Sequence, residues 1–153
     1  MSKSAGQEMA AAVSKDDIVR VARSWLGTPY HHQASLKGVG TDCLGLVRGV
    51  WREIHGREPQ MPPPYSRDWT VGGETLIEAA RRHFMEVPPD QAGAGDVLIF
   101  RYRANLPAKH CGLLVTDESF VHAIEGAPVS VVAFSNWWRR RVAGAFRFPG
   151  VEH

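Results

Sequence analysis

The strongest constraint on this chain is a cysteine that stands where a loop turns into an apolar helix. Gly38 and Gly40 break regular structure before Cys43. After it, apolar residues recur with the spacing of one helix face: Leu44, Val47, Val50, Trp51 and Ile54. The pattern predicts a helix that runs to about His55, is ended by Gly56 and carries the cysteine at or near its N-terminus. Unpaired N–H groups and the helix dipole lower the pKa of a thiol there and favour the nucleophilic thiolate, which a core cysteine does not need.

Composition limits the class of protein. A chain of 153 residues with 44% hydrophobic and 22% charged residues is typical of one soluble globular domain with a proper core. The net charge of +2 is too weak to indicate a nucleic-acid partner, and two cysteines are too few for a disulfide framework. No apolar run is long enough for a signal-peptide core or a membrane span. We therefore expect a protein made in the cytoplasm without a signal peptide, not inserted in a membrane, and external only if something else carries it out.

The first half of the chain has a helical pattern. We expect a flexible arm over residues 1–14 and one domain over residues 15–150. Ser14 and Asp17 resemble a capping box for a first helix that Gly27 and Pro29 stop. An irregular loop follows over residues 31–41, and a second, proline-rich loop over residues 57–73 carries Tyr65 and Trp69 as anchors. A helix is predicted over residues 74–86, closed by Pro88 and Pro89.

The second half has the pattern of strands. Five segments are predicted: 96–102, 111–115, 120–124, 129–134 and 142–148. Helices followed by strands indicate an α+β domain with a mostly antiparallel sheet.

A catalytic cysteine needs a base, and His110 and His122 are the more specific pair among seven histidines. If the hairpin between them has an odd-numbered loop, both project from one face as diagonal neighbours; an even loop puts them on opposite faces. The sequence leaves this register open. If His110 and His122 are considered only as histidines in strands, a structural role is the more ordinary interpretation.

Other residues favour plainer interpretations. Cys111 neighbours His110 in one strand, so it is expected to face away from the site as a small buried hydrophobe, without a disulfide to Cys43. The segment from Trp137 to Arg141 is interpreted as a solvated basic edge beside core tryptophans, although it could also bind an anionic or sugar polymer. Histidines and cysteines allow a zinc site by residue type, but no zinc-site spacing supports one. No Gly-x-Ser-x-Gly elbow supports a serine hydrolase.

Three segments in order, over about residues 16–148, together resemble the NlpC-type cell-wall peptidases. They are Thr28-Pro29-Tyr30 followed by Asp42-Cys43-Leu44-Gly45-Leu46-Val47; Gly95-Asp96-Val97-Leu98-Ile99-Phe100 followed by His110-Cys111-Gly112-Leu113-Leu114; and Phe120-Val121-His122-Ala123. The resemblance implies a papain-like α+β fold, in which N-terminal helices carrying the cysteine pack on a mostly antiparallel sheet carrying the histidine. It also implies a cysteine peptidase that cleaves peptidoglycan stem peptides, often between γ-D-glutamate and diaminopimelate, without a metal or other cofactor.

The resemblance also implies a role for each site residue. Cys43 is the nucleophile, His110 the general base and acid, and His122 the polar residue that orients it. Tyr30 lies beside the nucleophile and helps to position the oxyanion, to which the Cys43 N–H would donate. Asp42 receives the free amine of the stem peptide.

The chain departs from the family pattern at Leu44, where the family usually has a serine that lines the substrate pocket; this leaves the scissile bond and the stem length open. Family enzymes are usually exported or fused to wall-binding domains, and a short version without a signal most resembles the peptidases of phage tails and gene-transfer-agent particles. We therefore expect a particle component with tail hub or tip proteins as partners, acting in the periplasm or cell wall. An amidase or acyltransferase of the same superfamily and a mainly structural tail-hub component remain as alternatives. Roles for His31 and His32 stay open.

Overall fold

The structure is a computed structural model that describes residues 13–58 and 73–152. Most of the predicted arm over residues 1–14 lies outside the described residues. Its last two residues form strand β1 (Val13–Ser14), which pairs in parallel with β10 (Val151–Glu152). Most of the loop predicted over residues 57–73, including Tyr65 and Trp69, also lies outside them. Within the described ranges, no helix is long and apolar enough to cross a membrane.

Four helices occur in the described part of the chain: α1 (Lys15–Arg23), α2 (Cys43–His55), α3 (Thr75–His83) and α4 (Asn136–Arg139). Helix α1 begins with the predicted capping box, in which Ser14 and Asp17 satisfy each other's backbone N–H groups. Helix α2 has the predicted bounds. Asp42 caps its start, and Gly56 ends it with a φ of 87°, a left-handed conformation that glycine adopts without strain.

The strands form an antiparallel sheet with six members among the described residues, in the order β4-β9-β5-β6-β7-β8. Their bounds are β4 (Met85–Val87), β5 (Val97–Arg101), β6 (Ala108–Thr116), β7 (Ser119–His122), β8 (Ser130–Ala133) and β9 (Val142–Arg147). A small antiparallel pair, β2 (Ser35–Leu36) and β3 (Gly40–Thr41), lies in the loop that was predicted to be irregular. The α+β fold predicted from the sequence is confirmed.

One helix prediction extends too far. The helix predicted over residues 74–86 ends at His83, and Met85–Val87 instead pair with β9, with Glu86 opposite Phe146. The apolar spacing that suggested a longer helix is overridden by this pairing with a strand that lies some sixty residues later in the sequence. Such a long-range partner is not visible in local periodicity.

Helices α1 and α2 cover one face of the sheet and form the larger core with it. Ile18, Leu46 and Val50 are fully buried there. Two glycines let α2 approach its neighbours closely: a Cβ at Gly49 would lie 2.0 Å from a ring carbon of Trp25, and one at Gly45 would lie 1.9 Å from the Ala34 carbonyl oxygen. The cysteine helix is therefore fixed against α1 and the preceding loop by contacts that a side chain would block.

The register between β6 and β7 places the two candidate histidines on one face. Thr116 pairs with Ser119 across a two-residue turn, but Leu114 pairs with Phe120 and Leu113 with Val121. The irregularity at Val115 is a bulge that shifts the pairing by one residue. The turn itself is even-numbered, and the bulge supplies the extra residue that the one-face arrangement requires.

Candidate active site

Cys43 is the first residue of α2 and lies against the beginning of β6. Its Sγ is 3.8 Å from the carbonyl oxygen of Lys109, and the pairing between β6 and β7 starts only at Leu113. The start of the helix thus packs against a part of β6 that precedes this pairing. The side chain of Cys43 is only partly buried. A half-buried thiol at a helix N-terminus is accessible and lies in a positive local field.

Cys111 does not face away from the site, so this prediction is wrong. Its Sγ lies 3.3 Å from the carbonyl oxygen of Cys43, and its side chain also hydrogen-bonds the Cys43 thiol. Alternation along β6 does separate His110 from Cys111, but α2 starts so close to the strand that Cys43 contacts both neighbours. The expected burial of Cys111 is confirmed, since only 1% of its surface is exposed. Both cysteines are free thiols.

The pKa of the Cys43 thiol is lowered to about 5. The hydrogen bond from Cys111 is the largest cause; the charge and hydrogen bond of His110 act in the same direction, and burial opposes them. The pKa of Cys111 is raised well above its ordinary value, because the adjacent Cys43 and burial disfavour a second negative charge. Of two neighbouring thiols, Cys43 is therefore the one present as a thiolate at neutral pH.

His110 and His122 meet on the sheet face opposite α1 and α2. His110 Nε2 and His122 Nδ1 are 2.8 Å apart, and both residues are buried. Burial, and then the charge of His110, lower the pKa of His122 to about 3, so His122 is neutral at neutral pH. In the tautomer that lets His110 take a proton at Nδ1, the Nε2–H of His110 donates to His122 Nδ1.

Aromatic rings surround the two histidines. The ring of Phe100 stacks on His110 with a centroid distance of 5.9 Å, and the ring of Phe120 lies 5.1 Å from His122. Trp138 packs against both imidazoles, at 5.6 Å from His110 and 5.4 Å from His122. Sequence reasoning missed Trp138 as part of the site. Its place on the short helix α4 after β8 gives no local periodicity, and the adjacent arginines suggested a surface segment.

Tyr30 and Asp42 are both placed at the start of α2 by backbone contacts. Tyr30 forms an isolated bridge with Thr41, flanked by hydrogen bonds from Thr41 N–H to the Pro29 oxygen and from His31 N–H to the Thr41 oxygen, each of 3.0 Å. Asp42 is buried and accepts two N–H groups at 2.7 Å, from Gly45 at Oδ1 and from Gln33 at Oδ2. The described contacts of Asp42 therefore make it a helix cap that also fixes the preceding loop.

An open cleft of about 690 Å³ runs beside the start of α2. Tyr30, His31 and His32 line one side of it, and residues 125–128, which follow β7, line the other. The two sides are joined at their base, because Val129 N–H donates to the Thr28 oxygen and Gly27 N–H donates to the Val129 oxygen. His32 Nδ1 also lies 3.9 Å from Asp42 Oδ2. The structure thus brings His31 and His32 close to the candidate site without assigning them a role.

Outside this site, His55 is exposed and its ring contacts that of Trp51, and His83 is half-buried at the end of α3. Within residues 13–58 and 73–152, no group of three or more histidine, cysteine or acidic side chains is arranged to hold a metal ion.

A cysteine at a helix N-terminus beside a histidine pair on an antiparallel sheet defines the papain-like class of cysteine hydrolases. Residues 27–147 match the model of the NlpC/P60 family, and the chain belongs to that family. The predicted family is therefore confirmed, and the name of a relative that is an endopeptidase agrees with the predicted enzyme class.

Two curated relatives are similar over most of this chain. The gamma-DL-glutamyl hydrolase of Bacillus subtilis is 26% identical over 88% of this chain and 29% of its own length. The murein DD-endopeptidase MepS/murein LD-carboxypeptidase of Escherichia coli is 26% identical over 87% of this chain and 62% of its own length. The chain thus spans less than two thirds of either relative.

A solved structure has the same fold. The NlpC/p60 domain of the peptidoglycan hydrolase SagA superimposes with a TM-score of 0.66 at 23% identity, covering 89% of this chain and all of that domain.

Proposed function

We propose that this chain is a peptidoglycan endopeptidase in which Cys43 is the nucleophile, His110 the general base and acid, and His122 the residue that orients His110. The observation that carries the proposal is the contact between the histidines, 2.8 Å from Nε2 to Nδ1, next to a thiol whose pKa is lowered to about 5. A nucleophile, a base and a group that orients the base are the three parts that acyl transfer by a cysteine requires.

The chemistry follows from these three side chains. His110 takes the proton of the Cys43 thiol, and the resulting thiolate attacks the carbonyl carbon of the scissile amide and forms a tetrahedral oxyanion. As this collapses, His110 gives its proton to the leaving amine, and an acyl thioester remains on Cys43. His110 then takes a proton from water, which attacks the thioester and releases the acid and the free thiolate. His122 stays neutral throughout and holds the His110 ring through its Nδ1 atom.

The start of α2 supplies the environment for the oxyanion. Gly45 N–H is used by Asp42 Oδ1 and Leu46 N–H by the Asp42 carbonyl, as is usual within a capped helix. The N–H of Cys43 stands at the helix N-terminus, where it can donate to the oxyanion. Tyr30 forms the bridge described above with Thr41, the residue two positions before Cys43. We assign Tyr30 to positioning of the oxyanion and the Asp42 carboxylate, beyond its capping bonds, to the free amine of the stem peptide.

For the scissile bond we propose γ-D-glutamyl–diaminopimelate. The name of the Bacillus relative, a gamma-DL-glutamyl hydrolase similar over 88% of this chain, supports a γ-glutamyl bond. The name of the Escherichia coli relative describes a different bond, so the choice requires a direct test. Leu44, half-buried at the second position of α2, takes the place of the usual family serine.

The test is digestion of purified diaminopimelate-type sacculi by the parent chain, by Cys43→Ala and by His55→Ala, with mass spectrometry of the released peptides. His55 lies at the opposite end of the same helix and serves as a matched control. We expect the parent and His55→Ala to release peptides with a new diaminopimelate N-terminus and Cys43→Ala to release none. Release of none by a folded parent would overturn the proposal and favour the acyltransferase or structural alternative.

We also propose that the chain acts from a phage-like tail, with hub or tip proteins as partners, in the periplasm or cell wall. The support for this is the sequence resemblance to short tail peptidases. Antibody detection across gradient fractions of lysed producer cells tests it: we expect the chain to sediment with tail proteins. Recovery solely in the free protein fraction would refute tail carriage and leave the peptidase proposal standing.

A further inference from the structure

A cleft lined by arginines lies where β5 ends and β9 begins. It has a volume of about 490 Å³, and four guanidinium groups contribute to it: Arg101, Arg103, Arg140 and Arg141. We call it the arginine cleft. It is separate from the cleft beside Tyr30, and none of its described lining residues is acidic.

Two of the four arginines are fixed by the protein. Arg141 donates to the carbonyl oxygens of Trp137 at 2.8 Å and Tyr102 at 3.2 Å, and its guanidinium lies 3.7 Å from the centre of the Trp137 ring. Arg101 donates to the Leu106 oxygen at 2.8 Å and forms an ion pair with Glu74. The walls of the cleft are therefore built by specific contacts, unlike a group of side chains that extend freely into solvent.

The other two arginines carry charge that the described part of the protein does not neutralise. Arg103 and Arg140 are exposed, and no carboxylate of residues 13–58 or 73–152 lies within 4.0 Å of either guanidinium. Arg103 also lies over the Tyr102 ring, at 5.7 Å from its centre. Guanidinium groups with neighbouring aromatic rings bind planar anions by paired hydrogen bonds and stacking.

Side-chain contacts connect the arginine cleft to the candidate active site. Trp137 packs edge-on against Trp138 at 4.8 Å, and Trp138 packs against His110. On the strand, Arg101 directly follows Phe100, whose ring stacks on His110. Trp138 and Trp137 thus connect His110 to Arg141 of the cleft, which is a short span for a polymer whose amide lies at Cys43.

We propose that the arginine cleft is a second substrate subsite that binds free carboxylates of the polymer away from the bond being cut. This rests on the proposed function, because peptidoglycan stem peptides supply such groups: a γ-linked glutamyl residue keeps a free α-carboxylate, and diaminopimelate carries a second one. The subsite would hold the polymer in place while Cys43 acts on one amide.

Binding to sacculi by chains that carry Cys43→Ala tests the proposal independently of turnover. We expect Arg103→Gln with Arg140→Gln to weaken binding about tenfold in a pelleting assay at low salt. Arg139→Gln is the matched control, since Arg139 directly precedes Arg140 at the end of α4 but contacts Phe134 and the Asp117 oxygen. We expect it to bind like the unsubstituted protein. Equal binding by the Cys43→Ala chain, the double variant and the control would overturn the proposal. A loss of binding in the control as large as that in the double variant would also overturn it. A protein partner would then be the alternative occupant of the cleft.

Chemical amidation of the sacculi identifies the anion. If carboxylates are recognised, carbodiimide-coupled ammonia should reduce binding as much as the double substitution does, and the double variant should lose nothing more. If amidated sacculi bind normally and removal of phosphate-containing wall polymers reduces binding, the carboxylate proposal is wrong. Failure of the proposed function is seen separately, as absence of peptide release by the catalytically unaltered chain.

Discussion

The two faces of the central sheet carry different kinds of side chain. The face beneath α1 and α2 is mainly aliphatic, with Val97, Ile99 and Leu113 packed around the Cys111 thiol. The opposite face is aromatic around His110 and His122, where Phe100, Phe120 and Trp138 lie, and we call it the aromatic face although Leu98 and Leu114 also belong to it. Since His110 and Cys111 are consecutive residues of β6, the two environments are only one peptide unit apart.

The difference shows how one strand serves both stability and chemistry. Aliphatic side chains fill the space under the helices and hold α2 in place. Aromatic rings pack against the imidazoles and exclude water from them, which lowers the pKa of His122. We therefore expect substitutions on the aliphatic face to change mainly stability and those on the aromatic face to change mainly activity.

The largest expected effect is on the aromatic face. His110→Ala should reduce peptide release from sacculi about 10³-fold, because both the base and the acid of the reaction are lost. Its thermal unfolding should stay close to that of the parent, and His55→Ala should match the parent in both measurements. An unfolded His110→Ala protein would contradict the separation of roles between the two faces.

On the aliphatic face, Leu113→Ala should lower the free energy of unfolding by about 2 to 5 kcal/mol, since Leu113 is fully buried under the helices. Urea unfolding followed by circular dichroism measures this. Activity per folded molecule, determined by counting alkylatable Cys43 thiols, should remain within about twofold of the parent. A loss of activity as severe as that of His110→Ala would show that the faces are not separable.

Because of His122, the free energy of unfolding should depend on pH. Its folded pKa of about 3 lies below the ordinary value of 6.5, so the folded state resists protonation. Neutral His122 therefore makes its full contribution to the free energy of unfolding above pH 6.5. Below that pH, the free energy of unfolding falls by about 1.4 kcal/mol per pH unit until the pH nears 3. Urea unfolding of the parent and of His122→Asn between pH 7 and pH 4 should give free energies whose difference changes with this slope. A constant difference would mean that His122 protonates freely in the fold.

Trp138→Ala should lower activity about tenfold, because the ring that packs against both imidazoles no longer holds them in position. The reduction should appear in kcat measured on a soluble stem peptide, and Trp137→Ala should leave kcat on that peptide higher than Trp138→Ala does. The reverse order would mean that the Trp137 ring, which contacts Arg141, matters more for kcat than the ring that contacts the histidines.

The smallest effect tests the contact between Cys111, on the aliphatic face, and the thiol of Cys43. Cys111→Ala removes the hydrogen bond to the Cys43 thiol and should raise the pH midpoint of iodoacetamide alkylation of Cys43 by about one pH unit from its parent value near 5. Cys111→Ser keeps a donor and should restore most of the low midpoint. Identical midpoints in all three proteins would assign the low pKa to His110 and the helix terminus alone.

Local patterns in the sequence predicted the parts of the fold that depend on near neighbours. The periodicity after Cys43 and the glycine at position 56 gave the correct bounds of α2, and the capping box gave the start of α1. The strand Met85–Val87 was missed because its partner is β9, and Cys111 was misplaced because strand alternation does not show how near α2 comes. Trp138 was missed for a similar reason, since only the folded chain brings α4 over the histidines.

The bulge at Val115 makes the length of the chain between the two histidines as significant as its composition. Side chains alternate between faces at every residue, so deleting a single residue between His110 and His122 would turn His122 toward the helices and separate the pair. A two-residue change in the turn would preserve the alternation. In natural variants of this segment, single-residue insertions and deletions should therefore be rarer than amino-acid replacements, and those that persist should occur in compensating pairs.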